Sequence, residues 1–292
     1  MKSMTRKEFI QDLSLLAAAS LLPALSFAEI EVLKKSKMKL GLVTYLWGKD
    51  WDVPTLIANC AKTGINGVEL RVDHAHKVMP NLSAAERVEV KKKFADSPVK
   101  IVGMGTNEQY DSPDPAKLKA NIDRTKEFIK LSADIGGSGV KVKPNQFHKG
   151  VPHEKTLEQI GRSLSELGAY AADFGQQIRL EVHGNETQEL PNIKTIMDNC
   201  PNRNATVCWN CNQEDLIGQG LEYNFNLVKN RFGDTVHVRE LDSSDYPYQK
   251  LMNLFKDINY KGWILLECRT DPKDKVAALM DQKRIFEGML KA

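Results

Sequence analysis

The chain has 292 residues, of which 41% are apolar and 27% are charged, and its formal net charge is +3. This composition is ordinary for a soluble globular protein, and the length allows a large core. The mild charge argues against a dedicated nucleic-acid-binding protein, which would carry a strongly basic face.

The N-terminal segment has the three parts of a secretory signal peptide. Its basic residues come first: Lys2, Arg6 and Lys7. An apolar run over residues 13–25 follows, and Ser-Phe-Ala at 26–28 provides a cleavage site with small residues at both ends. The run has about 13 residues, whereas a helix that spans a bilayer needs about 20. We therefore predict that residues 1–28 are a signal peptide that is removed on export.

Removal of this segment would leave a single mature domain over residues 29–292. We predict that this domain is periplasmic and has no stable membrane anchor. Residues 5–10 also resemble the twin-arginine export motif, with Lys7 in place of the second arginine. The general secretory route and the twin-arginine route both remain open, and an amphipathic N-terminal helix is the alternative to a signal peptide.

The remaining chain alternates between short strands and longer helices. Strands are predicted at 38–45, 67–73, 99–104, 139–144, 177–183, 205–210, 234–241 and 262–268. Helices are predicted at about 53–63, from Ser83 onward, and at 114–133, 157–174, 190–198, 222–230, 248–257 and 273–290. Eight strands alternating with eight helices predict one closed (β/α)₈ TIM barrel, with a doubly wound sheet as the alternative.

Local signals indicate where two of these helices begin. Ser83 is followed by Glu86 at the capping-box position. Asp114 is followed by Pro115, which is the arrangement of an N-cap residue with proline in the first turn.

The fifth strand carries ionisable groups on one face. Arg179, Glu181 and His183 alternate with apolar residues in the stretch Gln-Ile-Arg-Leu-Glu-Val-His, and Gly184 follows directly. This period of two is typical of a strand with one apolar face. Catalytic groups of (β/α)₈ barrels lie at the carboxyl ends of the strands, so Glu181 and His183 are candidate site residues.

The next three strands each end on a residue that can bind a metal ion. Asn210 follows Glu181 by 29 residues, His237 follows 27 later, and Glu267 follows 30 later. A strand, a helix and two loops need roughly 25–35 residues, so one candidate ligand falls at each strand end. Two glutamates, one imidazole and one amide suit one divalent ion, with Mn²⁺ or Mg²⁺ preferred and Zn²⁺ or Co²⁺ as alternatives.

Further polar residues share the inner face of the predicted barrel. Isolated buried charge is very costly, so these groups must be paired or used. We predict a structural network for Glu69, Lys141 and Arg179, with Arg71 or Arg179 beside Glu69. Residues nearer the mouth are predicted to contact the substrate: Lys143, His183 and Arg239.

Other histidines and the cysteines suggest weaker alternatives. His74 and His76 form an H-x-H pair that could hold a second metal ion, and His148 and His153 could cover the site. The five cysteines are Cys60, Cys200, Cys208, Cys211 and Cys268. Their odd number implies no disulfide framework. We expect buried structural cysteines rather than a redox pair at Cys208 and Cys211, because that C-x-x-C begins within a late strand.

The motifs L-E-V-H-G-N, W-N-C-N, H-V-R-E and G-W-I-L-L-E resemble those of the xylose-isomerase-like TIM barrels, over nearly all of residues 38–292. The resemblance implies that Glu181 and Glu267 bind one divalent metal ion and also act as acid and base. It implies that His237 is a further ligand. The family usually has Asp at the strand-six position, where this chain has Asn210.

These features together predict an exported, metal-dependent sugar isomerase or epimerase that moves a proton beside a carbonyl. Its partner would be a small carbohydrate without a phosphate, because sugar phosphates are mostly cytoplasmic. A lyase or hydratase acting on a keto-glycoside and a non-catalytic sugar-binding barrel are the alternatives. A DNA-repair endonuclease is disfavoured, since it would need more metal-binding residues and a basic face. The metal, the sugar and the oligomeric state are not specified by the sequence.

Overall fold

The computed structural model describes residues 36–292. The predicted signal peptide at 1–28 therefore lies outside the described residues. Within the described part of the chain, no helix combines the length and the apolar character that crossing a bilayer requires.

Within residues 36–292, eight parallel strands alternate with eight α-helices, which confirms the predicted barrel and excludes the doubly wound sheet. The strands are β1 (Lys39–Val43), β2 (Gly67–Arg71), β3 (Lys100–Gln109), β4 (Gly139–Lys143), β5 (Gln177–Glu181), β6 (Ala205–Cys208), β7 (Thr235–Val238) and β8 (Trp263–Leu266). The helices are α1 (Val53–Thr63), α2 (Ala84–Ala95), α3 (Pro115–Ile135), α4 (His153–Ala172), α5 (Leu190–Asp198), α6 (Leu221–Val228), α7 (Tyr248–Asp257) and α8 (Lys275–Lys291).

The sheet closes through two isolated bridges rather than a full ladder. The continuous strand order is β6-β5-β4-β3-β2-β1-β8-β7. Between β6 and β7, Val207 bridges Phe232 and Asn210 bridges His237. The backbone N–H of His237 donates to the carbonyl of Trp209 at 2.8 Å. This closure holds two of the predicted metal ligands on adjacent strand ends.

Both predicted helix caps are present. Ser83 and Glu86 form a reciprocal capping box at the start of α2, and the Asp114 side chain accepts a hydrogen bond from the N–H of Ala116 at the start of α3. Such caps satisfy N–H groups that have no partner inside the helix, and each stabilises it by roughly 1 kcal/mol.

Two element boundaries differ from the predicted ones for identifiable reasons. Helix α4 begins at His153 rather than at 157, because its first turn follows Pro152 and is polar, so the apolar period appears only from Leu157 onward. Strand β3 continues to Gln109, beyond the predicted end at 104. Pairing with β2 on one side and β4 on the other extends the strand through a segment of weak β-propensity.

A buried arginine lies toward the end of the barrel opposite the carboxyl ends of the strands. Arg179 is fully buried and donates to the carbonyl of Val102 at 2.7 Å and to the hydroxyl of Ser138 at 2.7 Å. A Cβ at Gly139 would lie 2.7 Å from the guanidinium carbon, so glycine there gives the side chain its space. The ion-pair partner of Arg179 is Asp234, at 3.4 Å, and not the predicted Glu69.

The cysteines are all free and buried. Burial raises the pKa of Cys60 to about 12 and raises the pKa of Cys211 well above its usual value. Thiols of this kind are unreactive, as expected for structural cysteines.

Candidate active site

Glu181, the last residue of β5, is fully enclosed by polar partners. One carboxylate oxygen, Oε2, accepts a hydrogen bond from Nζ of Lys141 at 2.7 Å. The other, Oε1, accepts from the Asn210 amide at 3.0 Å and lies 3.3 Å from Nδ1 of His237. Strands β4, β5, β6 and β7 therefore each contribute one group to a single buried contact.

His237 lies between three carboxylates. Its Nε2 is 3.2 Å from Oε1 of Glu69, while its Nδ1 is 3.3 Å from Glu181 and 3.6 Å from Glu267. Glu69 has room because a Cβ at Gly105 would lie 2.7 Å from its Oε1. These three carboxylates favour the protonated imidazole, and a divalent ion bound at one of the ring nitrogens would displace the proton there.

These residues form a group that could hold a metal ion. One ligand atom from each of Glu181, His237 and Glu267 can be chosen so that all lie within 4.8 Å of one another. Within residues 36–292, neither oxygen of Glu69 has a hydrogen-bond partner, nor has Nε2 of His237. Two carboxylates and an imidazole are donor types that suit a divalent ion, and the buried Glu69 carboxylate beside them adds negative charge that such an ion would balance.

The charged groups of the cluster shift one another's pKa. Burial alone would raise the pKa of Glu181, but Lys141 and His237 outweigh burial and hold it well below its usual value. Burial would likewise raise the pKa of Glu69, yet His237 and Lys141 lower it. For His237, burial lowers the pKa, while Cys208 and the carboxylates of Glu69 and Glu267 raise it well above the usual value. Both glutamates are therefore ionised at neutral pH.

Asn210 is within reach of the cluster, because its side-chain nitrogen lies 3.0 Å from Glu181. Rotating the amide about its last bond would exchange its nitrogen for its oxygen, which is the atom that can bind a metal ion. As a neutral ligand it adds no charge, whereas the Asp that the family resemblance implies would add one.

Replacing Asn210 by Asp should tighten binding of Mn²⁺ or Mg²⁺, because hard divalent ions are held largely by anionic oxygen. The gain should be about tenfold or more, and proton transfer should be slower because more of the ion's charge is neutralised. Calorimetric titration of the ion into both proteins measures the change. Equal or weaker affinity in the Asp variant would show that residue 210 is not a ligand.

A small pocket of about 70 Å³ opens beside Glu181 and Glu267. The other residues that line it are Tyr45, Arg71, Lys143, His183 and Arg269. Two of the three predicted substrate contacts, Lys143 and His183, thus line the same pocket as both predicted catalytic glutamates. Arg239 is not among its lining residues, and its role as a substrate contact remains a prediction.

Lys143 and Arg71 share a neutral partner in this pocket. Arg71 donates to the side-chain oxygen of Asn107 at 3.0 Å, and Lys143 donates to the same oxygen at 3.3 Å. Burial, together with the charge of Lys141, lowers the pKa of Lys143 to about 8. Burial also lowers the pKa of His183, so this imidazole is neutral at pH 7.

The loops after β3, β4 and β5 are linked to one another at the mouth. Asp111 accepts hydrogen bonds from Asn145 and His148, at 2.9 and 2.8 Å. The carbonyl of Asn145 in turn accepts from the N–H of Asn185 at 2.9 Å. Gly184 has φ +107°, and a Cβ there would lie 2.0 Å from that carbonyl, so only glycine allows this contact. His148 is therefore tied into the mouth on the β4 side.

The H-x-H pair is occupied by local contacts. The Nε2 of His76 lies 2.8 Å from the carbonyl of Arg71, and its Nδ1 accepts from the N–H of Val78 at 3.0 Å. Both nitrogens of His76 are thus used within the fold, so His76 has no free nitrogen for the second metal ion that the H-x-H pair suggested. His153 stacks on Phe147, with ring centroids 3.7 Å apart, rather than facing the cluster of glutamates.

Sequence reasoning did not assign four residues of this site to function. Lys141 and Arg71 were expected in a structural network, and no sequence pattern indicated a functional role for Tyr45 or Arg269. A signal was available for two of them, since Lys141 has the same parity as Lys143 on β4, and Arg269 has the same parity as Glu267 beyond β8.

The comparisons with known proteins agree with this fold. A family model described as xylose isomerase-like TIM barrel matches residues 57–287. The chain therefore belongs to the xylose isomerase-like TIM barrel family, as its motifs suggested. No curated protein sequence matches the chain significantly.

Solved structures of low sequence identity share the architecture. A 3-keto-D-glucoside 4-epimerase from E. coli is 15% identical, with 86% of this chain and 100% of that chain covered and a TM-score of 0.72. A D-allulose 3-epimerase from Methylomonas sp. is 18% identical, with 87% and 98% covered and a TM-score of 0.71. The IOLI protein, solved with a zinc atom, is 14% identical, with 87% and 98% covered and a TM-score of 0.73. At these identities the likeness shows the fold.

Proposed function

We propose that this protein is a metal-dependent sugar isomerase or epimerase that transfers a proton at a carbon beside a carbonyl. The observation that carries the proposal is the pair of glutamates, Glu181 and Glu267, which line one pocket and have carboxylate oxygens 3.3 and 3.6 Å from the same nitrogen, Nδ1 of His237. Isomerisation and epimerisation both need a base that removes a proton and an acid that returns it. Two carboxylates at one pocket can serve as that pair.

Glu181, His237 and Glu267 would hold the metal ion, with Asn210 as the fourth candidate ligand. When bound, a divalent ion polarises the carbonyl and so acidifies the neighbouring C–H bond. Mn²⁺ or Mg²⁺ suits the oxygen-rich set, and Zn²⁺ or Co²⁺ suits the imidazole. The zinc atom in the similar IOLI structure supports a divalent ion without selecting among these.

The two glutamates differ in their freedom to move. Lys141 and Asn210 hold both oxygens of Glu181, which fixes its orientation. The Glu267 side chain is 12% exposed and faces the pocket, so it has room to approach a substrate. We propose that Glu267 and Glu181 share the two proton transfers: one carboxylate removes the proton, and a carboxyl group that has taken up a proton returns it. His183 is positioned to bind a sugar hydroxyl group, and Lys143 is a further substrate contact.

A small carbohydrate is the proposed substrate. Similar structures include a 3-keto-D-glucoside 4-epimerase and a D-allulose 3-epimerase, which supports sugar chemistry at this mouth. A keto-glycoside lyase or hydratase remains the second candidate, favoured by the keto-glucoside named for the first of these. Elimination would begin with the same proton removal and differ only in the departure of a leaving group.

Incubation of metal-loaded protein with free and 3-keto sugars in deuterated water tests the proposed function. We expect deuterium to appear at one carbon beside the carbonyl, detected by NMR and mass spectrometry. A mass change that corresponds to loss of water or of the aglycone would indicate the lyase. Binding of a sugar without any exchange would indicate a non-catalytic sugar-binding barrel and would refute the proposal.

Export is the remaining part of the proposal, and the basic start, apolar run and cleavage site of residues 1–28 support it. Protein purified from the periplasm of its native cells should begin near Glu29, because the signal peptidase cuts after small residues. Intact-mass spectrometry measures the N-terminus. Active protein that retains residues 1–28 would contradict export.

A further inference from the structure

The candidate pocket holds three cations that have no acidic partner. Arg71, Lys143 and Arg269 line it, and none of them forms an ion pair within the described residues. Arg71 bonds to the carbonyl of Thr106 and to the Asn107 side chain, and Lys143 bonds to the same Asn107 oxygen. Their positive charges are therefore unbalanced by any neighbouring carboxylate at ion-pair distance.

Arg269 is exposed and lines the pocket, so its guanidinium is free to bind a ligand. The nearest acid in its hydrogen-bond network is Glu240, which accepts from the backbone N–H groups of Arg269 and Thr270 at 3.0 and 2.8 Å and from the Thr270 hydroxyl. The Arg269 guanidinium takes no part in these hydrogen bonds. Nε of Arg71, which lines the same pocket, is buried and has no hydrogen-bond partner within residues 36–292.

The acidic groups beneath these cations are already engaged. Lys141 pairs with Glu181, and Glu69 faces His237. A divalent ion would use the two charges of Glu181 and Glu267. The loaded cluster would thus be close to neutral or positive, and the three cations above it would still lack a counter-charge. Charges in a partly buried pocket are stabilised only when an opposite charge or good acceptors satisfy them.

We propose that the substrate is an anionic sugar, whose carboxylate or phosphate group is bound by Arg71, Lys143 and Arg269 while its carbonyl end lies over Glu181 and Glu267. This inference rests on the proposed function, since it names the substrate class of the same pocket. Arginine presents a planar fork that matches a carboxylate or a phosphate with two parallel hydrogen bonds, and two arginines line this one pocket.

The competing explanation is that the cations stabilise negative charge that develops only during the reaction. That role would affect turnover of a neutral sugar but not its binding, whereas a permanent anion on the substrate is bound in the ground state. Binding measurements therefore separate the two explanations. They also separate the inference from the proposed function, because binding is measured independently of deuterium exchange.

The test is calorimetric titration of metal-loaded protein with D-fructose, D-fructuronate and D-fructose 6-phosphate. We expect at least one of the two anionic sugars to bind about tenfold or more tightly than fructose, with an advantage that shrinks as salt is added. The tighter of the two identifies the anionic group as carboxylate or phosphate, and the proposed export favours the carboxylate because sugar phosphates are mostly cytoplasmic. Equal or tighter binding of fructose, or binding of none of the three, would overturn the inference.

Variants locate the effect in the three cations. Arg71→Met and Arg269→Met should each reduce the affinity for the preferred anionic sugar about tenfold or more and leave fructose binding nearly unchanged. Lys143→Met should weaken binding of both sugars, and of the anionic sugar more, because Lys143 is also a predicted contact of the sugar itself. Lys130→Met removes an exposed lysine of α3 and is the matched control. Arg269 is exposed, so its variant should fold even if Arg71→Met does not. Equal losses for charged and neutral sugars, or losses only in turnover, would contradict the proposal.

Discussion

Replacing either Glu181 or Glu267 by Gln should lower the rate of C–H exchange by at least about two orders of magnitude. Gln has the size of Glu but cannot take up a proton at neutral pH, so one of the two proton transfers loses its carrier. The effect should appear in turnover at saturating sugar. Deuterium incorporation, followed by NMR for both variants and the unaltered protein, measures it.

The metal must be controlled in this experiment, because both glutamates are also candidate ligands. Each variant is therefore assayed over a range of metal concentrations, with bound metal measured by elemental analysis. Glu127→Gln, an exposed change on α3, controls for loss of one negative charge. Near-normal exchange in either metal-loaded active-site variant would refute the acid–base assignment, whatever its metal affinity.

Replacing Lys141 by Met should lower the free energy of unfolding of the metal-free protein by about 3–5 kcal/mol. Lys141 and Glu181 each have 1% side-chain exposure, and their charged atoms are 2.7 Å apart. Removing the ammonium group would leave the Glu181 carboxylate buried without its strongest partner. Chemical denaturation followed by circular dichroism measures the loss, and added metal ion should restore part of it by supplying another positive charge.

Lys143 provides the matched control for this prediction. It lies two residues further along β4, points the same way and has only the neutral Asn107 as partner, so Lys143→Met should cost much less stability. In addition, the double variant Lys141→Met with Glu181→Gln should be more stable than Lys141→Met alone, because it removes the unpaired charge. Equal losses from the two single lysine variants would show that the ion pair with Glu181 is not what makes Lys141 important.

The fold could be predicted from the sequence because each βα unit shows the same local sequence signals. Strands show alternating or continuous apolar residues, helices show caps such as Ser83 with Glu86, and the spacing of about one βα unit recurs eight times. The ends of strands and helices could be predicted less well where tertiary contacts override the local conformational preference. The extension of β3 to Gln109 depends on its pairing with both neighbours, which no local pattern encodes.

The candidate metal-binding residues could be predicted from the sequence for a related reason. In a parallel barrel the carboxyl ends of all strands meet at one rim, so residues at the ends of β5, β7 and β8 must come close together. Parity along a strand then indicates which side chains point inward. Glu181, His237 and Glu267 could thus be predicted as neighbours from their spacing alone, and they form the group that could hold a metal ion.

What the sequence alone determined was therefore the barrel and the rim on which its ionisable groups lie. Parity does not specify the height of a side chain in the barrel or its partner across the barrel. Only the tertiary structure pairs Lys141 with Glu181, directs Arg179 toward Asp234 and brings Arg269 into the pocket. These choices depend on strand register and on the space left by glycines such as Gly105 and Gly139, which are properties of the assembled barrel rather than of any single segment.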